Sequence, residues 1–307
     1  MPIEQQHIHA LSALEFKARQ VVEGFLAGLH KSPFHGFSVE FAEHRAYNSG
    51  ESTRHLDWKL YARTDKLFVK RYEEETNLRC HLVLDASSSM YYPARGETQE
   101  FNKVEFGVHA AAAFIQLLRK QRDAVGLTVF REAVTLSEEA RSNAVHLRHL
   151  TQHLEQLLAA DAPARGQRTG LVEALHDIAG RAHRRSLVVV LSDMFEDAGR
   201  EEEVFDALQH LRFNKHDIIV FHVVDRKREL ELALEDRPYT FVDVETGAQV
   251  KAHAAEVREG YRQAVAERWH RLKLKCGQYR IDLVEADVNA GFGPVLLEFL
   301  TKRARLY

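Results

Sequence analysis

His81-Leu82-Val83-Leu84-Asp85-Ala86-Ser87-Ser88-Ser89-Met90 decides the fold of this chain. Cys80, Leu82, Val83 and Leu84 make a nearly continuous apolar run, the pattern of a strand covered on both faces inside a parallel sheet. The run stops at an acid, Asp85, and three hydroxyls follow. In an open α/β sheet, ligands bind beyond the carboxyl ends of the strands. Asp85, Ser87 and Ser89, at i, i+2 and i+4, therefore predict a compact cluster of oxygens at that end. Oxygen donors with few carboxylates suit a hard cation such as magnesium or manganese, whereas zinc would want histidine or cysteine. The competing reading of the same five residues is a helix start, in which Asp or Ser accepts hydrogen bonds from free amides.

Working outward, apolar strands alternate with helical periodicity. Val104, Val108, Ala111, Ala112, Ile115 and Leu118 predict a helix, residues 124–130 a strand and 133–136 an edge strand. Leu147, Leu150, Leu154 and Leu157 mark the next helix. Another, through Leu171, Ala174, Leu175 and Ile178, has Thr169 at its start, and a strand over 187–191 delivers Asp193. A helix over 204–211, a strand over 218–224 and a hairpin pairing 240–244 with 248–251 come next. A charged helix over about 254–274 carries the stripe Val257, Tyr261, Val265 and Trp269, expected in the core. Residues 279–284 read as the last strand and 294–303 as a closing helix. The alternation predicts an α/β fold with a doubly wound, mainly parallel sheet and right-handed crossovers over residues 78–307.

Residues 1–77 read as an N-terminal helical and irregular extension. Leu11, Leu14, Ala18, Val21, Val22, Phe25 and Leu29 fall at helical spacing, with Ser12 and Glu15 placed as a capping box, and the helix is expected to dock on the chain's own core. Residues 32–78 are polar and irregular, with turns at Gly36 and Gly50. Arg54, Lys59, Arg63, Lys66, Lys70 and Arg71 among aromatics would suit a single-stranded nucleic acid. Glu40, Glu43, Glu51, Asp57, Asp65 and the acids at 73–75 cancel that field, so no nucleic-acid partner is expected.

Composition sets further bounds. The 307 residues carry a net charge of −3, with 45% hydrophobic and 28% charged residues, ordinary for a globular protein with a substantial core. No apolar stretch approaches the length of a bilayer span, and the start lacks the basic-then-apolar pattern of a secretory signal. Cys80 and Cys276 form no Cys-x-x-Cys pair and are expected to be buried free thiols, so the expected compartment is the cytoplasm. His146, His149 and His153 lie at i, i+3 and i+7 of one expected helix, a spacing that could ligate a transition metal. With 18 histidines such a spacing is expected, and it reads as a solvated face.

Asp85-x-Ser87-x-Ser89 after a hydrophobic strand resembles the metal-ion-dependent adhesion site of von Willebrand factor A domains. Such sites add a threonine from a second loop and an aspartate after a later strand, which the resemblance carries to Thr169 and Asp193. The implied metal set is Asp85, Ser87, Ser89, Thr169 and Asp193, holding Mg2+ or Mn2+, with a position left for a partner's carboxylate. A second stretch, from Arg45-Ala46-Tyr47 through Arg54, Asp57-Trp58-Lys59 and Tyr61-Ala62-Arg63 to Val69-Lys70, resembles the signature of the bacterial domain-of-unknown-function family fifty-eight. It departs in having Gly50-Glu51 where Gly-Asp is usual. This resemblance covers nearly the whole chain and implies a von Willebrand factor A-like domain. It also implies a MoxR-type AAA ATPase as partner, in chaperone-like assembly or maturation of a client protein.

The competing class is a metal-dependent phosphoester hydrolase, because an aspartate at a strand end beside magnesium also serves phosphoryl transfer. Ser87 stands where an Asp-x-Asp phosphatase has its second acid, and neither Gly-x-Ser-x-Gly nor Gly-x-x-x-x-Gly-Lys is present. With no catalytic constellation in view, the sequence favours a metal-dependent protein-binding module.

Overall fold

The computed structural model describes residues 12–26, 40–47, 56–73, 78–94, 101–163, 169–194, 200–243 and 247–306. In chain order the elements are α1 (Ala13–Leu26), β1 (Glu40–Ala46), α2 (Trp58–Thr64), β2 (Phe68–Glu73), β3 (Arg79–Asp85), α3 (Lys103–Lys120), β4 (Ala124–Phe130) and β5 (Val134–Arg141). There follow α4 (Ala144–Ala159), α5 (Leu171–Arg181), β6 (Leu187–Ser192), α6 (Glu201–Phe213), β7 (Asp217–Val224), β8 (Pro238–Val242), β9 (Gln249–His253), α7 (Ala254–Gln278), β10 (Asp282–Asp287) and α8 (Phe292–Leu306). They gather into two compact units, one of residues 34–78 and one joining α1 to residues 79–307. The expected turns at Gly36 and Gly50, and the Gly50-Glu51 departure, lie outside the described residues.

In the smaller unit β1 and β2 pair antiparallel, from Glu40 opposite Glu73 to Ala46 opposite Phe68. The sequence reads as irregular here because the register shifts between Phe41 and Glu43, and such a shift breaks the two-residue alternation by which a strand is recognised. Helix α2 starts where the Asp57 carboxylate accepts from the Lys59 and Leu60 amides at 3.0 and 3.1 Å. It stops at Asp65, whose φ of 55° is left-handed.

The larger unit is built on a six-stranded sheet ordered β10-β7-β6-β3-β4-β5. All neighbours are parallel except β5, which lies antiparallel on β4. The doubly wound α/β fold expected from the alternation is the one observed. The chain leaves β3 towards β4 and β5, then returns to lay β6 on the other side of β3. Strand order thus reverses between β3 and β6, and a crevice opens at the carboxyl ends of such strands.

Alternate residues of the central strands serve opposite faces. Val83, Val188, Val190, Ile218 and Val220 pack in one core with Leu171, Leu175 and Ile178 of α5 and Leu208 and Leu211 of α6. The other face is covered by α3, α4 and α8, with Phe114, Phe221 and Phe299 in edge contact at 5.7 and 5.3 Å. Helix α3 opens with a complete capping box: Asn102 accepts from the Glu105 amide at 2.8 Å and Glu105 accepts from the Asn102 amide at 3.1 Å.

As expected, α1 docks on this core. Leu14, Ala18 and Val22, at i, i+4 and i+8, are at most 4% exposed, and Glu15 is tied to Arg119 of α3 at 2.9 Å. A buried Leu or Val contributes about 1.5–3 kcal/mol, so this stripe outweighs the surface ion pair. Cys80 and Cys276 are buried and free, as expected, and burial raises both thiol pKa values, that of Cys276 to about 11.

One expectation is corrected. The α7 stripe does not enter the core: Val257 and Tyr261 are exposed, Val265 and Trp269 half-buried, and of this helix only Ala254 and Cys276 are buried. Tyr261, Val265 and Trp269 instead wall a cleft, and the helix reaches the core only near its end, through Leu272 and Cys276.

Candidate metal centre

Parallel pairing sets Leu84 opposite Leu191, so Asp85 and Ser192 emerge side by side from the ends of β3 and β6. Asp85 is fully buried. Its Oδ1 accepts from the Ser87 amide at 2.9 Å and its Oδ2 from the Ser192 hydroxyl at 2.7 Å. The same Ser192 hydroxyl accepts from the Met194 amide at 2.9 Å, which fixes the loop carrying Asp193. The hydroxyls of Ser87 and Ser89 lie 3.1 Å apart, both side chains buried. Ser87 occupies the N-cap position of the short 3-10 turn Ser88–Tyr91, yet its side chain makes no capping bond. Capping therefore does not account for the Ser87 hydroxyl.

Thr169, 2% exposed, is brought to the same edge through backbone bonds. The Ala86 amide donates to the carbonyl of Phe130, the last residue of β4, at 2.9 Å, and the Gly170 amide donates to the next carbonyl, Arg131, at 2.6 Å. The approach at Gly170 requires glycine: a Cβ there would meet the Glu132 carbonyl oxygen at 2.3 Å. Gly170→Ala is accordingly expected to cost about 1–3 kcal/mol, measured as a shift in the urea midpoint, because two backbone segments must separate. An unchanged midpoint would mean that the loop yields freely.

The structure adds a residue that sequence reasoning missed. The Lys103 ammonium, 1% exposed, donates to Asp193 Oδ2 at 2.8 Å and to Glu229 Oε1 at 2.5 Å. Burial disfavours its charge, but the two carboxylates prevail and its pKa is raised. Lys103 is the first residue of α3, where a cation opposes the helix dipole, and that misplaced charge ahead of an apolar helix was the available signal. Ser192 and Glu229 were also missed, and Glu229, 126 positions from Lys103, gave no local sign.

Lys103 brings one positive charge to three carboxyl groups. Asp85 is held by neutral donors, and burial, then the neighbouring Asp193, push its pKa up to about 7 against an ordinary 3.8. Among the described residues no cation offsets that rise, the mark of a buried carboxyl short of counter-charge. The donor set of Asp85, Ser87, Ser89, Thr169 and Asp193 is all oxygen, as a hard divalent cation requires, so the residues present fit magnesium or manganese.

Beside this edge lies a cleft of about 810 Å3 including its mouth. Lys103, Asp193, His222 and Glu229 line it together with Phe205, Leu230, Val265 and Trp269. The His222 ring stacks on Trp269 with centroids 5.0 Å apart, and burial holds its pKa down at about 4. It is therefore neutral near pH 7.

The fold and site define an α/β protein with a doubly wound, mainly parallel sheet and a buried carboxylate and hydroxyl cluster where the strand order reverses. The chain belongs to the family described as "Protein of unknown function DUF58", whose profile matches residues 43–271. It is 27% identical over 225 residues to the uncharacterized protein Rv1480 of Mycobacterium tuberculosis and equally to Mb1516 of Mycobacterium bovis, covering 73% of this chain. The chain spans 66% of the length of these relatives.

Among solved structures it is similar to an aerotolerance-related membrane protein from Bacteroides fragilis, with a TM-score of 0.44 and 13% identity over 75% of this chain and 100% of the other. It is similar also to BatB from Bacteroides thetaiotaomicron, with a TM-score of 0.42 and 14% identity over 74% and 99% of the two chains. No helix among the described residues is long and apolar enough to cross a membrane.

Proposed function

We propose that the chain is a divalent-metal-dependent protein-interaction module whose metal ligands are Asp85, Ser87, Ser89, Thr169 and Asp193. The observation that carries this reading is the buried Asp85 carboxyl beside Asp193, raised in pKa and facing hydroxyls of which that of Ser87 caps no helix. When bound, magnesium or manganese supplies a fixed positive centre that a partner's carboxylate can complete. Ser192 and the Ser87 amide orient Asp85, while Lys103 holds Asp193 in place and neutralises part of its charge. The partly apolar cleft beside Asp193 offers surface against which a partner segment can bury side chains.

By family resemblance the partner is a MoxR-type AAA ATPase and the role is assembly or maturation of a client. The hydrolase alternative rests on the same aspartate, and among the described residues no histidine or lysine is hydrogen-bonded to the Ser87 hydroxyl, which lies 3.1 Å from that of Ser89.

The test is calorimetric titration of magnesium and of manganese into the wild type and Asp85→Ala, with circular dichroism to establish that both are folded. One ion bound per wild-type chain, and none in Asp85→Ala, is the expected result. Equal binding by both, or none by the wild type, would remove the site from the mechanism.

A further inference from the structure

Strand β5 and helix α4 assemble a second set of ligand atoms. His149 and His153 are one turn apart on α4, their rings edge to face with centroids 4.3 Å apart. Glu138 reaches them from β5, and one ligand atom from each of the three lies within 4.8 Å of the other two. The sequence suggested a different trio, with His146. That residue is buried, and its Nε2 is engaged with the Val125 carbonyl at 2.9 Å, so it pins α4 to β4 instead. The carboxylate that the sequence could not supply comes from the neighbouring strand.

We propose that Glu138, His149 and His153 form a zinc site distinct from the strand-end site, with three protein ligands and a fourth position for water or a donor from another molecule. Two imidazoles and a carboxylate are donors for zinc and its transition-metal neighbours, whereas magnesium favours oxygen alone. The Nε2 of His153 is shut off from solvent with no hydrogen-bond partner among the described residues, so this ring has unmet bonding capacity. His149 is exposed, which gives the ion a way in. Zinc–nitrogen bonds of about 2.0–2.1 Å put tetrahedral ligands about 3.3 Å apart, so closure from within 4.8 Å takes a small rotation of side chains rather than a change of backbone. The site also has a structural consequence. Strand β5 lies at the edge of the sheet, and zinc would clip that edge to α4.

The experiment is titration of zinc into the full chain in excess magnesium, followed by calorimetry and by the midpoint of thermal unfolding, for wild type, His149→Ala, Glu138→Gln and the control His270→Ala, an exposed histidine of α7. Wild type is expected to bind zinc and to unfold at higher temperature with it, since an ion held by the folded chain stabilises that state. His149→Ala and Glu138→Gln, each folded by circular dichroism, should weaken binding about tenfold or more, while His270→Ala stays within about twofold of wild type. No zinc binding by wild type, undiminished binding in His149→Ala, or an equal loss in His270→Ala would each overturn the proposal.

Discussion

Lys103→Met lowers the stability of the folded chain by about 3–5 kcal/mol, the cost of removing one partner of a buried ion pair. The methionine matches the length and apolar stem of lysine, so the change isolates the charge. It leaves Asp193, 3% exposed, and the largely enclosed Glu229 facing each other without the ammonium that donates to both. Asp85 is next to Asp193, so the repulsion already felt there grows. Urea denaturation of both proteins without divalent ions reads the loss directly. Magnesium added to saturation should recover part of it if the ion binds the same carboxylates. A loss under about 1 kcal/mol, the value of an exposed pair, would show that Lys103 does not serve as the buried counter-ion.

The second large effect is a pH dependence. The Asp85 carboxyl has a pKa of about 7 in the folded chain against 3.8 when unperturbed. Between those values the folded state holds a proton that the unfolded chain has released. Native stability therefore falls as pH rises from about 4 to 7, the reverse of a salt-bridged carboxylate. At pH 8 without divalent ions the ionised carboxylate costs up to about 4 kcal/mol, three pKa units at 1.36 kcal/mol each. Asp85→Asn keeps the shape and removes the titration, so it should be more stable than wild type at pH 8 and lose that advantage near pH 4. Saturating magnesium should abolish the difference by favouring the ionised wild type. Parallel stability curves for the two proteins across this range would rule out the raised carboxyl.

The sheet was legible because β3 and β6 are buried on both faces and so read as unbroken apolar runs, a signal that needs no knowledge of neighbours. Asp85, Ser87 and Ser89 were legible for a similar reason: their spacing is local, and a hydrophilic break directly after such a strand marks where the chain leaves the apolar core. Thr169 and Asp193 came from resemblance, and the fold accounts for Asp193 through the adjacency of β3 and β6. The hairpin of the smaller unit was hidden by its register shift, and the stripe on α7 was misread because periodicity reports an apolar face without reporting what covers it.

By itself, then, the sequence determined the order of strands and helices from β3 onward, the parallel sheet and the strand-end oxygen cluster. Each follows from side-chain pattern within a few residues, where backbone geometry and burial act locally. Only the tertiary structure decided the partners of charge: Lys103 between Asp193 and Glu229, Ser192 on Asp85, and Glu138 beside His149 and His153. Electrostatic and hydrogen-bond pairing depends on distance in space, and the Lys103 contacts join residues 90 and 126 positions apart, a separation over which no periodicity carries information.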